Sequence, residues 1–438
     1  MESRSLPALL IKKDTVYRIF VSVILLLATI LFHFIPNEII WLLYLFLLIS
    51  VILFRAKVVT EPSVFYIILG GPLIWTFIMS FGDNSREIAK GVFYLSVPFI
   101  MVSTGLQIQK VFDIKRFITL LVFLGTVTSI VFIFFTLQRA GFKSLISPYT
   151  EARFSVGSGS PASVLSLVIA IFCRKFDLDI LKNRFLRTFI IIVSLLAVYL
   201  FASRLYWGIT AILIFILALK SIRTDIVIFL SVAAMALIIV FFISVSSRER
   251  LNVNNSLIYK FINSLNEVTL SEYKSDRDIN IFYRGFESYR AIQTFSEGSF
   301  PEIILGGGYA KLVDLKQEVL LAGNTWSKVP LIHNGFFFVL VKQGLAGLMF
   351  ILIFFILNGM LALHYIKSPH NEIKFISAVL LGSTVSLFLA NFVSCSMFTL
   401  EMPLLIIISG FISARLLFNK TQDTEINPGL KNEKKTEQ

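Results

Sequence analysis

The sequence predicts an all-α polytopic membrane protein, with about twelve transmembrane helices and one large, partly helical loop between the ninth and the tenth. Three observations lead to this fold class. Hydrophobic residues make up 56% of the 438 residues and charged residues only 15%, which excludes an ordinary soluble protein. The apolar residues occur in runs of roughly 20, the length that crosses a bilayer. One long polar stretch, residues 246–334, interrupts these runs.

Taken in order, the apolar runs give twelve candidate spans, of which the short second, sixth and eighth are the least distinct. Only Ser203 and Arg204 separate the seventh from the eighth, and an eleven-span alternative would move the C-terminus to the other side of the membrane. The spans are residues 17–35, 39–54, 63–81, 88–106, 117–137, 156–173, 186–202, 205–220, 225–245, 335–363, 374–395 and 398–418.

These spans divide the chain into four parts. They are a membrane domain with helices 1 to 9, the polar loop, a second membrane domain with helices 10 to 12, and a polar tail predicted to be disordered: residues 1–245, 246–334, 335–418 and 419–438. The basic residues before the first span resemble the start of a signal peptide. No small-residue cleavage site follows Ile35, so we expect this span to be retained.

The distribution of lysine and arginine predicts which side of the membrane each segment faces. With the N-terminus in the cytoplasm, the two tails and the short inner loops hold 23 of the 40 lysines and arginines, whereas the outer segments other than the long loop hold seven. Such a bias marks the cytoplasmic side. Both termini are therefore predicted to be cytoplasmic, and the long loop, with ten basic and ten acidic residues, to be external. The net charge of +13 reflects this topology rather than a nucleic-acid surface.

Two arginines lie at the outer ends of predicted spans. Arg204 stands beside Tyr206 and Trp207, where it either snorkels to the interface within an aromatic belt or faces a polar cavity. Arg153 opens a stretch rich in small residues, 153–163. Small residues let helices, or a lipid-linked substrate, approach closely, so both interpretations of this stretch stay open.

Within the loop, residues 276–295 carry apolar or aromatic side chains with the spacing of a helix, at positions 282, 286, 289 and 292. Arg284 and Arg290 would lie off this stripe. The pattern alone indicates an amphipathic surface helix with solvated arginines.

A glycine turn and a histidine follow this helix. Gly306, Gly307 and Gly308 let the backbone approach a ligand or another segment closely, although they lack the lysine and helix start of a P-loop. His333 is the single histidine of the loop and, with Asn334, opens the tenth span. A lone histidine is usually structural. At the membrane surface, where this one is predicted, it can also serve as a general base or hydrogen-bond donor at neutral pH.

The sequence gives little support for a metal or redox site. Asp177 and Asp179 have a carboxylate spacing but are predicted to be cytoplasmic, and the pair at 276 and 278 lacks the further oxygen ligands that hard cations need. Cys173 and Cys395 both lie in apolar runs, so no disulfide framework is indicated. No Walker motif or Ser-His-Asp set is visible. We expect neither a metal nor a cofactor.

The order of these features resembles the O-antigen polymerase and O-antigen ligase superfamily over most of the chain. The shared features are about twelve spans, an arginine at the outer end of the seventh, a large loop after the ninth, an arginine-bearing helix in that loop, a glycine turn, and a histidine before a glycine-containing helix. In this chain they are Ser203-Arg204, Tyr283-Arg284, Gly306 to Gly308, and His333-Asn334 through Gly347.

The resemblance implies a glycosyltransferase of the bacterial inner membrane, metal-independent and inverting, with an undecaprenyl-pyrophosphate-linked oligosaccharide as donor and the loop in the periplasm. Arginine suits a departing pyrophosphate, because its planar and permanently charged fork stabilises the growing negative charge. We therefore expect Arg204 and Arg284 to contact the pyrophosphate, with Arg290 and Arg153 as further candidates. His333 is expected to deprotonate or orient the acceptor hydroxyl.

The resemblance leaves two enzymes and one other class open. A polymerase transfers to another lipid-linked repeat unit and a ligase to the lipid A core. Residues 328–332 lack the additional histidine that the family's ligases often carry, which favours a polymerase, of O-antigen or of capsule. A lipid-linked glycan transporter or flippase is disfavoured, because the spans carry few charges and no internal repeat is visible. Whether a chain-length regulator protein binds is left open by the sequence.

Overall fold

The structure is a computed structural model that describes residues 6–55, 63–145, 156–157, 159–221, 270, 279, 282–321 and 324–426. Within these residues the chain forms α-helices and one β-hairpin. The predicted ninth span, 225–245, lies outside the described residues, as do Arg153 and most of the loop before residue 282.

The described helices and strands follow the chain from one membrane domain through the loop to the next. Before the loop come α1 (Leu6–Leu31), α2 (Asn37–Arg55), α3 (Ser63–Ile78), α4 (Ser85–Ile108), α5 (Ile114–Ala140), α6 (Pro161–Phe172), α7 (Arg184–Leu200) and α8 (Arg204–Ser221). In the loop are α9 (Tyr283–Ser296), α10 (Phe300–Leu305), β1 (Val313–Leu321) and β2 (Asn324–Val329). After it come α11 (Gly335–Tyr365), α12 (Asn371–Ser394) and α13 (Pro403–Ile426).

These helices confirm a mainly α-helical, multi-pass membrane protein. Among the described residues, six helices are long and apolar enough to cross a bilayer, and three more are apolar but shorter. Each predicted span other than the ninth coincides with a helix, although twelve crossings remain a prediction. α13 continues to Ile426, past residue 418, where the last span was predicted to end and the tail to begin.

Glycines bring the helices of the bundle into backbone contact. A Cβ at Gly105 of α4 would lie 2.1 Å from the carbonyl oxygen of Ile407 in α13, and one at Gly125 of α5 would lie 2.1 Å from that of Ala162 in α6. Close packing of this kind holds membrane helices together where no hydrophobic force acts between them. At residue 162 the small-residue stretch therefore serves helix packing, one of its two interpretations.

Polar contacts join the helix ends on the side opposite the loop. The Arg415 guanidinium donates to the carbonyl oxygens of Gln109, at 2.7 Å, and of Phe112. The amide of Asn371, in α12, donates to Asp177 Oδ2 at 3.0 Å, in the turn after α6. These contacts tie α4 to α13 and α6 to α12 at one end, and leave the other end to the loop.

α11 is not one continuous helix, because the chain turns back on itself at Gly344. That residue has φ 68° and ψ −166°, which are not helical values. In a straight helix Phe336 and Phe355 would lie about 28 Å apart, at a rise of 1.5 Å per residue, yet their ring centroids are 6.1 Å apart. We call residues 335–343 the re-entrant segment and residues 345–365 the long segment; the two lie side by side.

The predicted tenth span, residues 335–363, coincides with a candidate membrane span, and the break at Gly344 divides it into two segments. The long segment alone has roughly the 20 residues needed to cross a bilayer. The re-entrant segment runs alongside it and begins within the helix bundle.

The loop contains a β-hairpin that the sequence analysis did not predict. β1 and β2 pair antiparallel, with Val313 opposite Val329 and Leu321 opposite Asn324. The register shifts between Asp314 and Val319, and Lys316 in this bulge has φ +57°. β2 leads directly to His333, so the hairpin delivers this residue to the start of α11.

Candidate functional site

His333 and Glu287 form a hydrogen-bonded pair where the loop meets the bundle. The Nδ1 atom of His333 lies 2.6 Å from Oε2 of Glu287, and its backbone N–H donates to the same oxygen at 3.1 Å. The Glu287 side chain is 3% exposed and that of His333 44%. A carboxylate accepts, so the neutral ring carries its proton on Nδ1 and keeps Nε2 as an acceptor. The pair presents an oriented base to solvent.

Neighbouring residues fix the position of His333 along the chain. Ile332 before it is buried. Asn334 after it caps the re-entrant segment, and its Oδ1 accepts the N–H groups of Phe336 and Phe337 at 3.0 and 3.2 Å. An asparagine cap satisfies donors that a helix start otherwise leaves open. Asn334 therefore holds the backbone directly after His333 in place.

Tyr283 completes the surroundings of the histidine ring. It lies one helical turn before Glu287 in α9, and its ring meets that of His333 edge to face, with centroids 5.9 Å apart. Burial raises the pKa of the Tyr283 phenol, and the nearby Glu287 carboxylate raises it further. The phenol therefore stays protonated at neutral pH and can donate a hydrogen bond.

The site lies deeper than the sequence analysis expected. Phe336, at the start of the re-entrant segment, packs against Phe388 of α12 with ring centroids 5.0 Å apart. Phe388 is six residues short of the end of α12, which corresponds to about 9 Å along the helix. The fold-back at Gly344 thus carries the start of α11 in among the helices, while the side chain of His333 stays 44% exposed.

The buried face of α9 differs from the predicted stripe. The structure buries Gly285, Phe286, Glu287, Ser288, Arg290, Ala291 and Thr294. Arg290 is 8% exposed, its Nη1 donates to Gln293 Oε1 at 2.7 Å, and its guanidinium lies over the ring of Phe286 at 5.3 Å. The expectation of a solvated arginine is wrong at this position. Arg284, between Tyr283 and Glu287, is half-buried.

Arg204 lies at the same end of the molecule as the histidine pair. It is the first residue of α8 and is half-buried. The Tyr206 hydroxyl lies 3.4 Å from the carbonyl oxygen of Glu401, which places the start of α8 beside the turn that follows α12. The two helices therefore run antiparallel, and Leu213 packs at Gly382. Nine residues back along α8, Arg204 lies level with the last turns of α12.

The turn after α12 also connects this region to α9. Asn391, whose Oδ1 accepts the N–H of Met397 in this turn, lies against Gly335, two residues after the His333 that bonds to Glu287 of α9. The starts of α8 and α9 and the end of α12 thus surround one region, which holds the histidine pair and Arg204.

The glycine turn contacts another part of the protein. The N–H groups of Gly307 and Gly308 donate to the carbonyl oxygens of Val341 and Lys342 at 3.0 and 3.1 Å. Gly306 and Gly308 have φ of +87° and +84°, and a Cβ at Gly306 would lie 2.2 Å from the Lys342 carbonyl oxygen. Of the two partners expected for this turn, a ligand or another segment, the structure shows the second.

Lys342 is a buried cation at this joint. It is 2% exposed, and its Nζ donates to the carbonyl oxygen of Tyr309 at 2.7 Å. Tyr309 is itself held in place by two hydrogen bonds. Its N–H donates to Ser80 Oγ at 2.6 Å, and its hydroxyl donates to the Leu73 carbonyl oxygen at 2.8 Å. A cation near the C-terminal end of a helix is favourable. Lys342 and the glycine turn together fasten the re-entrant segment to α3.

Sequence reasoning missed Glu287, Lys342 and the break at Gly344. Glu287 lies 46 residues before His333, so no local spacing links the two. Its signal was a carboxylate one turn after Tyr283-Arg284 on a predicted helix. In the part of the chain that the structure describes, no group of three or more His, Cys, Asp or Glu side chains could hold a metal ion.

No protein-family model and no curated protein matches this chain.

Proposed function

We propose that the chain is a polysaccharide polymerase, which joins undecaprenyl-pyrophosphate-linked repeat units of O-antigen or capsule at the periplasmic face of the bacterial inner membrane. The observation that carries the proposal is the 2.6 Å contact between His333 Nδ1 and the buried carboxylate of Glu287. An exposed histidine oriented by a buried carboxylate is a suitable general base for a sugar hydroxyl.

In the proposed reaction the acceptor hydroxyl oxygen attacks C1 of the donor sugar from the side opposite the pyrophosphate. The bond between C1 and the pyrophosphate oxygen breaks, and its electron pair leaves with the pyrophosphate. The hydroxyl proton passes to Nε2 of His333, and Glu287 stabilises the imidazolium that forms. Positioned bases of this kind contribute about 10²- to 10⁴-fold in rate. Direct displacement inverts the configuration at C1.

Arginines neutralise the leaving group in this proposal. Arg204 and Arg284 are both half-buried at the loop end of the bundle, where water screens their charge less than at an open surface. Their planar forks match phosphate oxygens and stay charged at every relevant pH. Arg290 is a weaker candidate, because its Nη1 already donates to Gln293 and its guanidinium lies over Phe286. The role of Arg153 rests on the sequence alone.

The site's position suits a lipid-linked donor. Phe336, in the first turn of the re-entrant segment, packs against the ring of Phe388 in α12. Because the site lies beside apolar helices, a reacting sugar can stay attached to a lipid in the surrounding bilayer. The proposal also includes cytoplasmic termini and a periplasmic loop, which rest on the positive-inside distribution of lysine and arginine. A chain-length regulator protein is a candidate partner.

Reconstitution tests the proposal. Purified protein in liposomes that contain lipid-linked repeat units is expected to form a ladder of polymer on gels, and His333→Ala or Glu287→Ala is expected to abolish it. His370→Ala is the matched control, since His370 precedes α12 at the end opposite the loop. Full polymer formation by His333→Ala would refute the assigned base. Transfer to added lipid A core, without a ladder, would identify a ligase.

A further inference from the structure

The side-chain amide of Asn391, in α12, has a buried N–H donor with no acceptor among the described residues. Its side chain is 0% exposed. Its Oδ1 accepts the backbone N–H of Met397 at 3.3 Å, which fixes the orientation of the amide. Its Nδ2 is buried and has no hydrogen-bond partner among the described residues. Buried donors are nearly always paired, and a ligand oxygen would satisfy the donor that this amide leaves unpaired.

The amide lies against the start of the re-entrant segment. A Cβ built on Gly335 would come within 2.1 Å of Asn391 Oδ1 and 2.7 Å of its Nδ2, so glycine at position 335 makes room for it. The segment is nine residues long, from 335 to 343, and the N-terminal end of a helix carries partial positive charge. His333 lies two residues before Gly335 and is partly open to solvent. The unpaired amide donor of Asn391 therefore lies close to the base.

We infer that Asn391 Nδ2 forms a subsite for a neutral oxygen of the acceptor sugar, either a hydroxyl or the carbonyl of an N-acetyl group. This inference rests on the proposed function, since it takes His333 as the base for the neighbouring hydroxyl. Asn391 holds the sugar ring so that this hydroxyl reaches Nε2 of His333.

The surrounding charge favours a neutral ligand over a phosphate. The Glu287 carboxylate lies 2.6 Å from the ring of His333, two residues before the Gly335 that packs against Asn391. A phosphate bound at the Asn391 amide would face this carboxylate across a poorly screened interior, where like charges repel strongly. A sugar oxygen accepts the same hydrogen bond without that repulsion. The pyrophosphate belongs with the arginines instead.

The test measures two affinities on purified full-length protein in detergent. One probe is the free repeat-unit oligosaccharide, released from its lipid by mild acid, and the other is farnesyl pyrophosphate. Loss of a hydrogen bond to a buried group that was built to make it costs about 10- to 100-fold. Asn391→Leu is therefore expected to weaken oligosaccharide binding by that factor and to leave farnesyl pyrophosphate binding unchanged.

Two variants and a control sharpen the result. Gly335→Ala is expected to reproduce the loss, because its Cβ would displace the Asn391 amide. Asn391→Asp serves if the leucine variant does not fold, since it keeps the acceptor for Met397 and removes the donor. Ser386→Ala is the control; Ser386 lies on the same helix and its buried hydroxyl also lacks a partner among the described residues. We expect it to bind both probes normally.

Two outcomes would overturn the inference. Weaker binding of farnesyl pyrophosphate, or of inorganic pyrophosphate, in Asn391→Leu would make this an anion site. Unchanged oligosaccharide binding in every Asn391 variant that folds would make the amide purely structural. Failure of the proposed function is read separately: wild-type protein that binds the oligosaccharide but forms no polymer in liposomes would refute the polymerase and leave the subsite in place.

Discussion

At the scale of single residues, Glu287 determines what His333 can do. Both donors of His333, the ring Nδ1 and the backbone N–H, meet one carboxylate oxygen. The carboxylate thus fixes the tautomer as well as the ring plane. Removing either partner should therefore remove one shared function rather than two.

We expect Glu287→Gln to lower the rate of polymer formation about 10²- to 10⁴-fold, the range of a lost general base. The double variant Glu287→Gln with His333→Ala should be no slower than the more affected single variant, because residues that act as a unit are not additive. Initial rates in liposomes measure this. Rate losses that multiply in the double variant would contradict a shared function.

We expect Arg204→Lys to lose most polymer formation, because an ammonium cannot reproduce the two parallel hydrogen bonds of a guanidinium on a phosphate. The comparison is made at equal protein level in the membrane. Arg139→Lys is the control, since Arg139 lies near the end of α5 over the rings of Phe34 and Phe135. Normal activity of Arg204→Lys would show that Arg204 acts only as an interfacial anchor.

At the scale of elements, the position of the re-entrant segment depends on the contacts at its C-terminal end. Gly344 needs a positive φ, and a Cβ there would lie 2.4 Å from the Ile304 carbonyl oxygen and 2.5 Å from the Gly306 nitrogen. The glycine turn and Lys342 bond to the end of the same segment. A change far from His333 can therefore move it.

We expect Gly344→Ala to lower the stability of the protein by about 1 to 3 kcal/mol, the cost of strained backbone, and to reduce activity by displacing His333. Gly359→Ala in the long segment is the control, because a Cβ there meets nothing within 4 Å and alanine is favoured over glycine within a helix. Thermal unfolding in detergent measures both. Equal melting temperatures for wild type and Gly344→Ala would contradict the fold-back.

Glu302, in α10 of the loop, should make a pH-dependent contribution to the stability of the protein. Hydrogen bonds from Lys311 and from the Ser299 backbone lower the pKa of the Glu302 carboxyl. A lowered folded pKa stabilises the protein above the unfolded value of about 4.3, and the gain is lost as the pH falls through the folded pKa. Lys311 Nζ lies 2.7 Å from Glu302 Oε1, and both side chains are partly exposed, so we expect at most about 1 kcal/mol.

The corresponding measurement compares wild type with Glu302→Gln at pH 7 and at pH 3. We expect the melting temperature of wild type to exceed that of Glu302→Gln at pH 7, and this difference in melting temperature to shrink at pH 3. Glu318→Gln, which removes an exposed carboxylate of β1, is the control and should show no such pH-dependent difference. A difference that grows toward acid would contradict the lowered pKa.

At the scale of the whole molecule, the sequence predicted what depends on composition and missed what depends on contacts. Runs of apolar residues placed helices at eleven of the twelve predicted spans, since hydrocarbon length imposes helices of that size. The break at Gly344 could not be recognised in the sequence, because the residues on both sides of it are largely apolar. The pair Gly344 and Gly347 also fits ordinary helix packing. The positive φ of Gly344 appears only in three dimensions.

Some residues of the candidate site could be predicted from the sequence and others could not. His333 was recognisable as the single histidine of a polar loop, and the order of motifs pointed to Arg204 and Arg284. Glu287 and Asn391 come from α9 and α12, and only folding brings them to either side of the start of α11. The burial of Arg290 was missed because packing against Phe286 and Gln293 outweighs the polarity of one residue.

The most direct test of the central claim is the lipopolysaccharide banding pattern of the source bacterium after deletion of this gene, with an immunoblot for polymer not attached to lipid A. We predict a core that carries one repeat unit, restored to a full ladder by the wild-type gene but not by His333→Ala. Long polymer that is still made and remains on its lipid carrier would contradict a polymerase and indicate a ligase.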